Sequence, residues 1–205
     1  KKYKIKNVFF KLKKFIEHAS NNGSALLIAS RIKDNEKILK EALKKKLKIL
    51  IEKPVFLDPD KFNKYFKYHK NIFVGYNRTY YKSFYYIKKL LKKNTPTNIV
   101  VNCPEYDKRG VITNSCHSIS IIYKLFGKIY FLNKFSFKNH VCAIFKTNKK
   151  QLVYFVLNLK NPENFSIKIN FAGKIVELNP IEKLLITERI IKKKFQNENI
   201  YIPLK

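Results

Sequence analysis

The chain has 205 residues, of which 44 are lysine or arginine and 14 are aspartate or glutamate, so its formal net charge is +30. Hydrophobic residues make up 45% of the sequence and aromatic residues 15%, which is enough for a sizeable core and excludes an intrinsically disordered chain. The three cysteines have no C-x-x-C spacing, so the sequence predicts neither a disulfide framework nor a metal site.

The basic excess consists almost entirely of lysine, because the chain has only four arginines. Readers of nucleic acid depend on the two-pronged arginine side chain, whereas lysine offers a single point charge. The lysines are spread along the whole chain in runs of three at most, so we expect a general basic surface and no specific nucleic-acid partner. No apolar stretch is long enough to span a bilayer and no secretory leader is visible, so we expect a cytoplasmic protein without a membrane partner.

The first part of the chain alternates short apolar runs with amphipathic stretches. Residues 25–29 form a continuous apolar run, which predicts a strand buried on both faces of a parallel sheet. A helix capped by Asp34 or Asn35 follows, with Leu39 and Ala42 on its apolar stripe. The other elements expected here are a strand at 8–10, a helix at 12–19, a strand at 48–51, a helix at 59–68 capped by Asp58 and a strand at 71–74.

Beyond a helix at 79–91, the pattern changes near residues 94–96, and strand-like segments dominate. Strands are expected at 98–103, 129–135, 141–147, 152–159, 166–171 and 174–178, with one helix at 114–126. The predicted fold class is α/β: a partial Rossmann-type parallel sheet, followed by an α+β domain with a largely antiparallel open sheet. We place the first domain at 1–94 and the second at 95–205.

Two segments carry candidate chemistry. Glu52-Lys53-Pro54 stands where the second strand of a β-α-β unit ends, the edge at which ligands collect in such sheets, although a solvated loop is the simpler interpretation of position alone. His117 lies on a helix whose apolar stripe we predict from Cys116, Ile119, Tyr123 and Phe126. That stripe leaves His117 on another face, available for proton transfer, although an ordinary surface histidine fits the same pattern.

The mixture of aromatic residues and lysine at 64–70 and 80–93 is open to two interpretations. It is similar to a platform on which the bases of single-stranded nucleic acid stack. The helical spacing of the aromatic residues explains it more simply as a core-facing stripe.

Taken together, the segments 25–30, 31–46, 49–54 and 74–78, in this order and spacing, resemble the Gfo/Idh/MocA family of NAD(P)-dependent oxidoreductases. Residues 110–127, with His117 in the middle, resemble the segment that carries the catalytic histidine of that family. The resemblance implies a Rossmann domain joined to an α/β domain whose long sheet serves ligand binding and oligomerisation.

The resemblance also implies hydride transfer between NAD or NADP and a sugar, sugar derivative or polyol, with a sugar or nucleotide sugar as substrate. By matching position, Lys53 and His117 are the catalytic residues, and no metal is implied. Cofactor-binding residues are expected at Ser30, Glu52, Lys53 and Pro54, and substrate-binding residues at Asn77, Arg78, Thr113 and Asn114. A homo-oligomer formed through the C-terminal sheet is expected as well.

The sequence departs from the family in two ways. Thr113 and Ser120 stand where many relatives have acids, and the five glycines are too far apart for any G-x-G-x-x-G loop. We therefore expect a fragment or a shortened protein with impaired cofactor binding. Two alternatives stay open at this point: a non-catalytic member that acts as a partner subunit, and a basic module that binds polyanions.

Overall fold

A computed structural model describes residues 7–160, 163–188 and 192–196 of the chain. The chain divides into two compact units, Lys1–Tyr76 and Asn77–Lys205. This division lies earlier than the boundary at 94/95 that the change of sequence pattern suggested. It lies earlier because the helix Lys82–Lys93 buries Phe84 and Ile87 in the core of the second unit.

The first unit alternates helices and short strands, as the sequence predicts. Its elements are α1 (Leu12–Asn21), β1 (Leu26–Ile28), α2 (Ile32–Lys44), β2 (Ile49–Ile51), α3 (Pro59–Tyr65), a 3-10 turn (Phe66–Tyr68) and β3 (Ile72–Val74). The three strands are parallel, in the order β1-β2-β3. The Asp58 side chain caps α3 by accepting a hydrogen bond from the Asp60 amide, which confirms the predicted cap.

The strand expected at residues 8–10 does not form. The Phe9 ring instead lies 4.9 Å from the ring of His18 on α1 and 5.8 Å from Phe15, measured between ring centroids. The neighbouring Phe10 side chain is exposed to solvent. The segment is therefore held by aromatic packing on α1, and the prediction of a strand from its apolar residues was wrong.

The three-stranded sheet is buried on one face, not on both. Leu26 and Ile28 are buried against α1 and α2, but Leu27 between them is 65% exposed. The register aligns Leu27 with Leu50 and Leu50 with Phe73, so these three residues share the second face, where Phe73 is 55% exposed. A continuous apolar run therefore did not indicate burial on both sides here.

The second unit is built on an eight-stranded mixed sheet. It begins with a 3-10 turn (Asn77–Tyr80), α4 (Lys82–Lys93), β4 (Asn98–Glu105), α5 (Lys108–Thr113) and α6 (Cys116–Phe126). The later strands are β5 (Ile129–Phe137), β6 (His140–Thr147), β7 (Leu152–Leu159), β8 (Ser166–Phe171), β9 (Lys174–Leu178), β10 (Lys183–Glu188) and β11 (Lys192–Gln196). The strand order is β11-β10-β9-β8-β4-β7-β6-β5, and only β4 and β7 pair in parallel. This confirms the predicted α/β fold class with a largely antiparallel second sheet.

Helices α4 and α6 cover one face of this sheet. Ile87 of α4 and Ile121 of α6 are fully buried against a row of strand residues that includes Ile99 and Val153. At the far edge, β5 exposes most of its aromatic side chains. Among the residues that the structure describes, no helix is long and apolar enough to cross a membrane.

The two faces of β1 give a first prediction, because Leu26 and Leu27 are adjacent and chemically identical. Leu26 is 2% exposed, so we expect Leu26→Ala to lower the free energy of unfolding by about 2–5 kcal/mol, through lost burial and the cavity left behind. Leu27→Ala should cost less than about 1 kcal/mol. Urea denaturation followed by far-UV circular dichroism measures both. Equal losses would contradict the one-sided sheet.

Candidate functional site

The carboxyl ends of the three parallel strands bring several predicted residues to one edge of the first unit. Ser30 follows β1, Glu52 follows β2 and Gly75 follows β3. The Glu52 amide donates to the Ile28 carbonyl at 2.9 Å, and the Gly75 amide donates to the Ile51 carbonyl at 2.8 Å, so the pairing of the strands continues into these loops. Ser30, Glu52 and the residues after Glu52 therefore occupy the same edge.

Asn35 ties two of these loops together. The Ser30 hydroxyl donates to Asn35 Oδ1 at 2.8 Å, and Asn35 Nδ2 donates to the Val55 carbonyl at 2.9 Å. The Asn35 side chain is buried within α2, whose N-cap residue is Arg31, so the prediction of Asp34 or Asn35 as the cap was wrong. The sequence did contain a signal for this role, since Asn35 is a polar residue in line with Leu39 and Ala42 on the apolar stripe.

Lys53 and Pro54 are half-buried in the loop that Asn35 holds, and the peptide bond between them is cis. Glu52 is exposed, and its Oε1 atom lies 3.4 Å from the position that a Cβ atom on Gly75 would occupy. The carboxylate of Glu52 and the ammonium group of Lys53 thus belong to consecutive residues that follow the carboxyl end of β2. This set can bind and polarise a polar ligand.

The predicted substrate residues Asn77 and Arg78 lie in the 3-10 turn of the second unit. Asn77 Oδ1 accepts a hydrogen bond of 2.8 Å from the Arg78 amide. The Arg78 guanidinium lies 3.6 Å from a carboxylate oxygen of Glu182, and both side chains are about one third exposed. The turn also contacts α6, because Lys124 Nζ lies 5.5 Å from the centre of the Tyr80 ring.

His117 is buried on α6, and the predicted apolar stripe of this helix was wrong. The buried side chains are His117, Ser118, Ile121 and Ile122, whereas Ile119 is 49% exposed and Tyr123 is 62% exposed. The helix has apolar residues on more than one face, and contact with the sheet selects the face of Ile121 and Ile122. The Nδ1 atom of His117 is shielded from solvent.

Thr113 and Asn114 lie beside His117 at the junction of α5 and α6. The His117 amide donates to the Asn114 carbonyl at 3.0 Å, and the Thr113 hydroxyl donates to the Arg109 carbonyl at 3.1 Å. The Ser120 hydroxyl donates to the His117 carbonyl at 2.7 Å. Thr113 and Ser120 thus bond to backbone carbonyl groups of their own helical segments and do not supply the negative charge that an acid there would give.

Glu105, the last residue of β4, bonds to this junction, and it is not among the site residues predicted from the sequence. Its side chain is 4% exposed and accepts hydrogen bonds from the Ser115 hydroxyl at 2.7 Å and from Asn114 Nδ2 at 3.4 Å. A Cβ atom on Gly110 would overlap Glu105 Oε2 and lie 3.1 Å from Glu105 Cδ, so any other residue at this position has to displace the carboxylate. An acid at the end of an apolar strand, followed five residues later by glycine, is the one signal that the sequence offered.

Cys103 lies close to this anchor but does not form a reactive thiolate. Burial raises the pKa of its thiol to about 11, with a smaller contribution from the charge of Glu105, against the lowering effect of the Ser118 and Ser115 hydroxyls. The thiol therefore stays protonated at neutral pH. Within residues 7–160, 163–188 and 192–196, no group of three or more His, Cys, Asp or Glu side chains could hold a metal ion.

The predicted site residues therefore form two sets. Ser30, Glu52, Lys53 and Pro54 belong to the first unit, and Asn77, Arg78, Thr113, Asn114 and His117 belong to the second. In the second set, Thr113, Asn114 and His117 lie at the junction of α5 and α6, and the 3-10 turn that carries Asn77 and Arg78 contacts α6.

Comparison with known proteins shows similarity in fold and not in sequence. No protein-family model matches the chain, and neither does any curated protein. Among solved structures, UDP-N-acetylglucosamine 3-dehydrogenase GnnA from Acidithiobacillus ferrooxidans is similar with a TM-score of 0.74 and 11% identity, over 95% of this chain and 69% of that chain. The super-repressor mutant of Gal80p from Saccharomyces cerevisiae is similar with a TM-score of 0.78 and 14% identity, over 95% of this chain and 66% of that chain.

A third similar structure is KijD10 from Actinomadura kijaniata, a 3-ketoreductase in complex with TDP-benzene and NADP. It has a TM-score of 0.68 and 10% identity, over 84% of this chain and 63% of that chain. The chain spans about two thirds of the length of these three proteins. The parallel sheet followed by a larger, mostly antiparallel sheet is the fold of this group, in which dehydrogenases and reductases occur.

The close approach of Gly110 and Glu105 gives a second prediction. Alanine at position 110 would gain about 1 kcal/mol of helix propensity, but its methyl group would displace a buried carboxylate and break the bond from Ser115. We therefore expect Gly110→Ala to lower the free energy of unfolding by about 1–3 kcal/mol in chemical denaturation. Gly75→Ala, where the nearest atoms are at 3.4 Å, is the matched control and should stay within about 1 kcal/mol of the parent.

A double-mutant cycle with Glu105→Ala separates this clash from a general effect on α5. If the carboxylate causes the loss, Gly110→Ala should cost much less in the Glu105→Ala background. Additive losses would show that Glu105 does not determine the need for glycine at position 110.

Proposed function

We propose that the chain is a cytoplasmic oxidoreductase that transfers a hydride between NAD or NADP and a hydroxyl-bearing carbon of a sugar or nucleotide sugar. The observation that carries this proposal is the position of Glu52-Lys53-Pro54 directly after the central strand of a parallel sheet, where α/β sheets bind their ligands. The dehydrogenase and ketoreductase among the similar structures support the reaction class. The free state of Cys103, Cys116 and Cys142 suits a reducing compartment.

The first unit offers only part of a dinucleotide site. Ser30 and Lys53 present a hydroxyl and an ammonium group at the strand edge, and α2 begins there with its N-terminus. The glycines stand singly at positions 23, 75, 110, 127 and 173, so this sequence has no glycine-rich loop to hold a pyrophosphate. We therefore assign Ser30, Glu52, Lys53 and Pro54 to one end of the cofactor and name no phosphate contact. NAD(P), when bound, supplies the group that accepts or returns the hydride.

Lys53 is suited to stabilise the substrate oxygen. When an alcohol is oxidised, its C–H bond and its O–H bond break and a C=O bond forms, so the oxygen passes through a state with partial negative charge. A half-buried ammonium group stabilises the transition state, in which the oxygen carries this charge, more than it stabilises the bound alcohol. Such a difference is what accelerates a reaction.

His117 is suited to take the hydroxyl proton and to return it in the reverse direction. Its burial fixes the ring, and Asn114 and Thr113 at the same junction can orient a sugar through hydrogen bonds. Asn77 and Arg78 are assigned to the same substrate, with the guanidinium held by Glu182. The following experiment tests the roles of Lys53 and His117 one at a time.

The test begins with calorimetric titration of the full chain with NAD and NADP, followed by assays of NAD(P)H formation with a panel of UDP and TDP sugars. We expect Lys53→Met to lower kcat/KM by about 100-fold or more and to weaken cofactor binding by a smaller factor, because Ser30, Glu52 and Pro54 remain. We expect His117→Asn to lower kcat by about 100-fold or more and to remove the acidic limb of the pH profile, because the ring must be unprotonated to accept the hydroxyl proton.

Lys33→Met and His140→Asn are the matched controls. Both residues are exposed and neither belongs to the two sets, so each variant should keep the parent's kcat/KM. Absence of NAD(P) binding by the parent chain would overturn the proposed function. Normal turnover by the Lys53 or His117 variant would overturn the role of that residue alone.

A second candidate function is a non-catalytic subunit that associates through the open sheet. The missing acids at Thr113 and Ser120 and the similarity to a Gal80p super-repressor favour it. The surface that supports association lies on β5 and its neighbours, where Phe135 pairs with Cys142, and Cys142 with Val156, on the face opposite the helices. Phe135 is 57% exposed and Phe137 is 69% exposed, and such apolar surface is typical of an interface. For both candidate functions, we propose that the chain forms a homo-oligomer through this face of the sheet.

Association through this face predicts a mass above 24.4 kDa for the parent chain in light scattering. The double variant Phe135→Ser/Phe137→Ser should shift the protein to the monomer mass at the same concentration, because it removes the apolar surface that copies would bury. Tyr85→Ser/Tyr106→Ser removes two aromatic rings that are also exposed and lie outside β5, β6 and β7, and it should leave the mass unchanged. A monomeric parent would exclude the homo-oligomer.

A further inference from the structure

A lysine-lined cleft of about 270 Å³ lies in the first unit, between α2 and the segment formed by α3 and the following 3-10 turn. Its walls include Lys40 and Lys44 of α2, Lys64 and Lys67, and the rings of Tyr65 and Tyr68; we call it the lysine cleft. Lys40 and Lys44 lie in the second half of α2, whereas Ser30 lies before its first residue. The lysine cleft therefore shares no residue with the candidate cofactor set.

Glu36 holds three lysines of this region in place. Its carboxylate lies 2.8 Å from Lys61 Nζ, 3.2 Å from Lys64 Nζ and 3.3 Å from Lys40 Nζ. These three lysines lower the pKa of the Glu36 carboxyl to about 2, so Glu36 is ionised at neutral pH. A single carboxylate thus draws together lysines from two helices that would otherwise repel one another.

The carboxylates near the lysine cleft do not balance its positive charge. Four lysines line the cleft, namely Lys40, Lys44, Lys64 and Lys67, against the two nearby carboxylates of Glu36 and Glu41. Glu41 pairs with Lys44 at 2.7 Å, and Glu36 serves three lysines at once. The difference is two positive charges around one concave surface, which favours a ligand that carries several negative charges.

The rings of Tyr65 and Tyr68 contact Lys64 and Lys67 and add a neutral wall. Lys67 Nζ lies 5.3 Å from the centre of the Tyr68 ring, and Lys64 Nζ lies 5.9 Å from that of Tyr65, both within the range of a cation–π contact. Burial and the charge of Glu36 raise the pKa of the Tyr65 phenol to about 12, so the phenol remains neutral. The cations are thus arranged by ring and carboxylate contacts before any ligand arrives.

We infer that the lysine cleft is a binding site for a small molecule that carries two or more phosphate groups. Lysine binds phosphate as a point charge, and several lysines around one cavity suit an ion with several negative oxygens better than they suit a single carboxylate. The cleft is small for a folded macromolecule but large enough for a diphosphate with a substituent. This site is independent of the proposed oxidoreductase function.

The experiment titrates the full chain with inorganic pyrophosphate by calorimetry at physiological salt, where Debye screening suppresses diffuse attraction to the +30 chain. We expect saturable binding of one pyrophosphate per chain. Lys64→Gln/Lys67→Gln should raise the Kd by about tenfold or more, because two point charges at the site are lost. Far-UV circular dichroism checks that the variant is folded.

Lys14→Gln/Lys33→Gln is the matched control, since it removes the same charge from exposed positions of α1 and α2 outside the lysine cleft. It should change the Kd by less than about twofold, because screened charges at a distance contribute little. Equal weakening by both double variants, or binding of several pyrophosphates per chain without saturation, would show attraction to the general charge and overturn the inference. Tight binding of a single-stranded oligonucleotide without binding of pyrophosphate would overturn the assignment to a small molecule.

Discussion

Parallel pairing of three very short strands is the constraint on which the first unit depends. Strands β1, β2 and β3 have three residues each, and because they run in parallel, their carboxyl ends meet at one edge. So short a ladder supplies few hydrogen bonds, and the loops beyond it need another restraint. Asn35 provides it, since its buried amide bonds to Ser30 on one side and to the Val55 carbonyl on the other. The residues assigned to the cofactor are thus held by a side chain that itself has no part in the chemistry.

In the second unit, too, a buried polar side chain restrains a loop, and here that side chain is charged. A buried carboxylate is costly unless it receives hydrogen bonds, and Glu105 receives them from Ser115 and Asn114. The same bonds fix the junction between α5 and α6, where Thr113 and His117 lie. Glu105 therefore links the end of a central strand to the helix that carries the candidate base, and the absence of a side chain on Gly110 makes this possible. In both units, one buried polar side chain positions the residues proposed to act: Asn35 of α2 in the first unit and Glu105 at the end of β4 in the second.

Local signals in the sequence were sufficient for the order of elements and for the edge of the first sheet. Asp58 before Pro59 predicted a capped helix, and the charged segment after 48–51 predicted a strand end, and both lie where expected. The side on which an element is buried was not predictable from the same signals. Residues 25–29 are uniformly apolar and α6 has apolar residues on several faces, so neither pattern indicates which side packs. Tertiary contacts decide it, and they expose Leu27 and bury His117.

The lysines, too, are found throughout the sequence, and their pattern alone does not indicate which of them form a binding site. A net charge of +30 spread over a surface attracts anions without selecting among them, so composition alone could not identify a site. Selectivity needs cations held in a fixed arrangement, which costs free energy because their ammonium groups repel one another. Around Glu36 this cost is offset by one carboxylate that pairs with lysines from α2 and from α3, and by the rings of Tyr65 and Tyr68. The lysines at 61–67 therefore differ from the rest of the basic surface by the groups that hold them and not by their number.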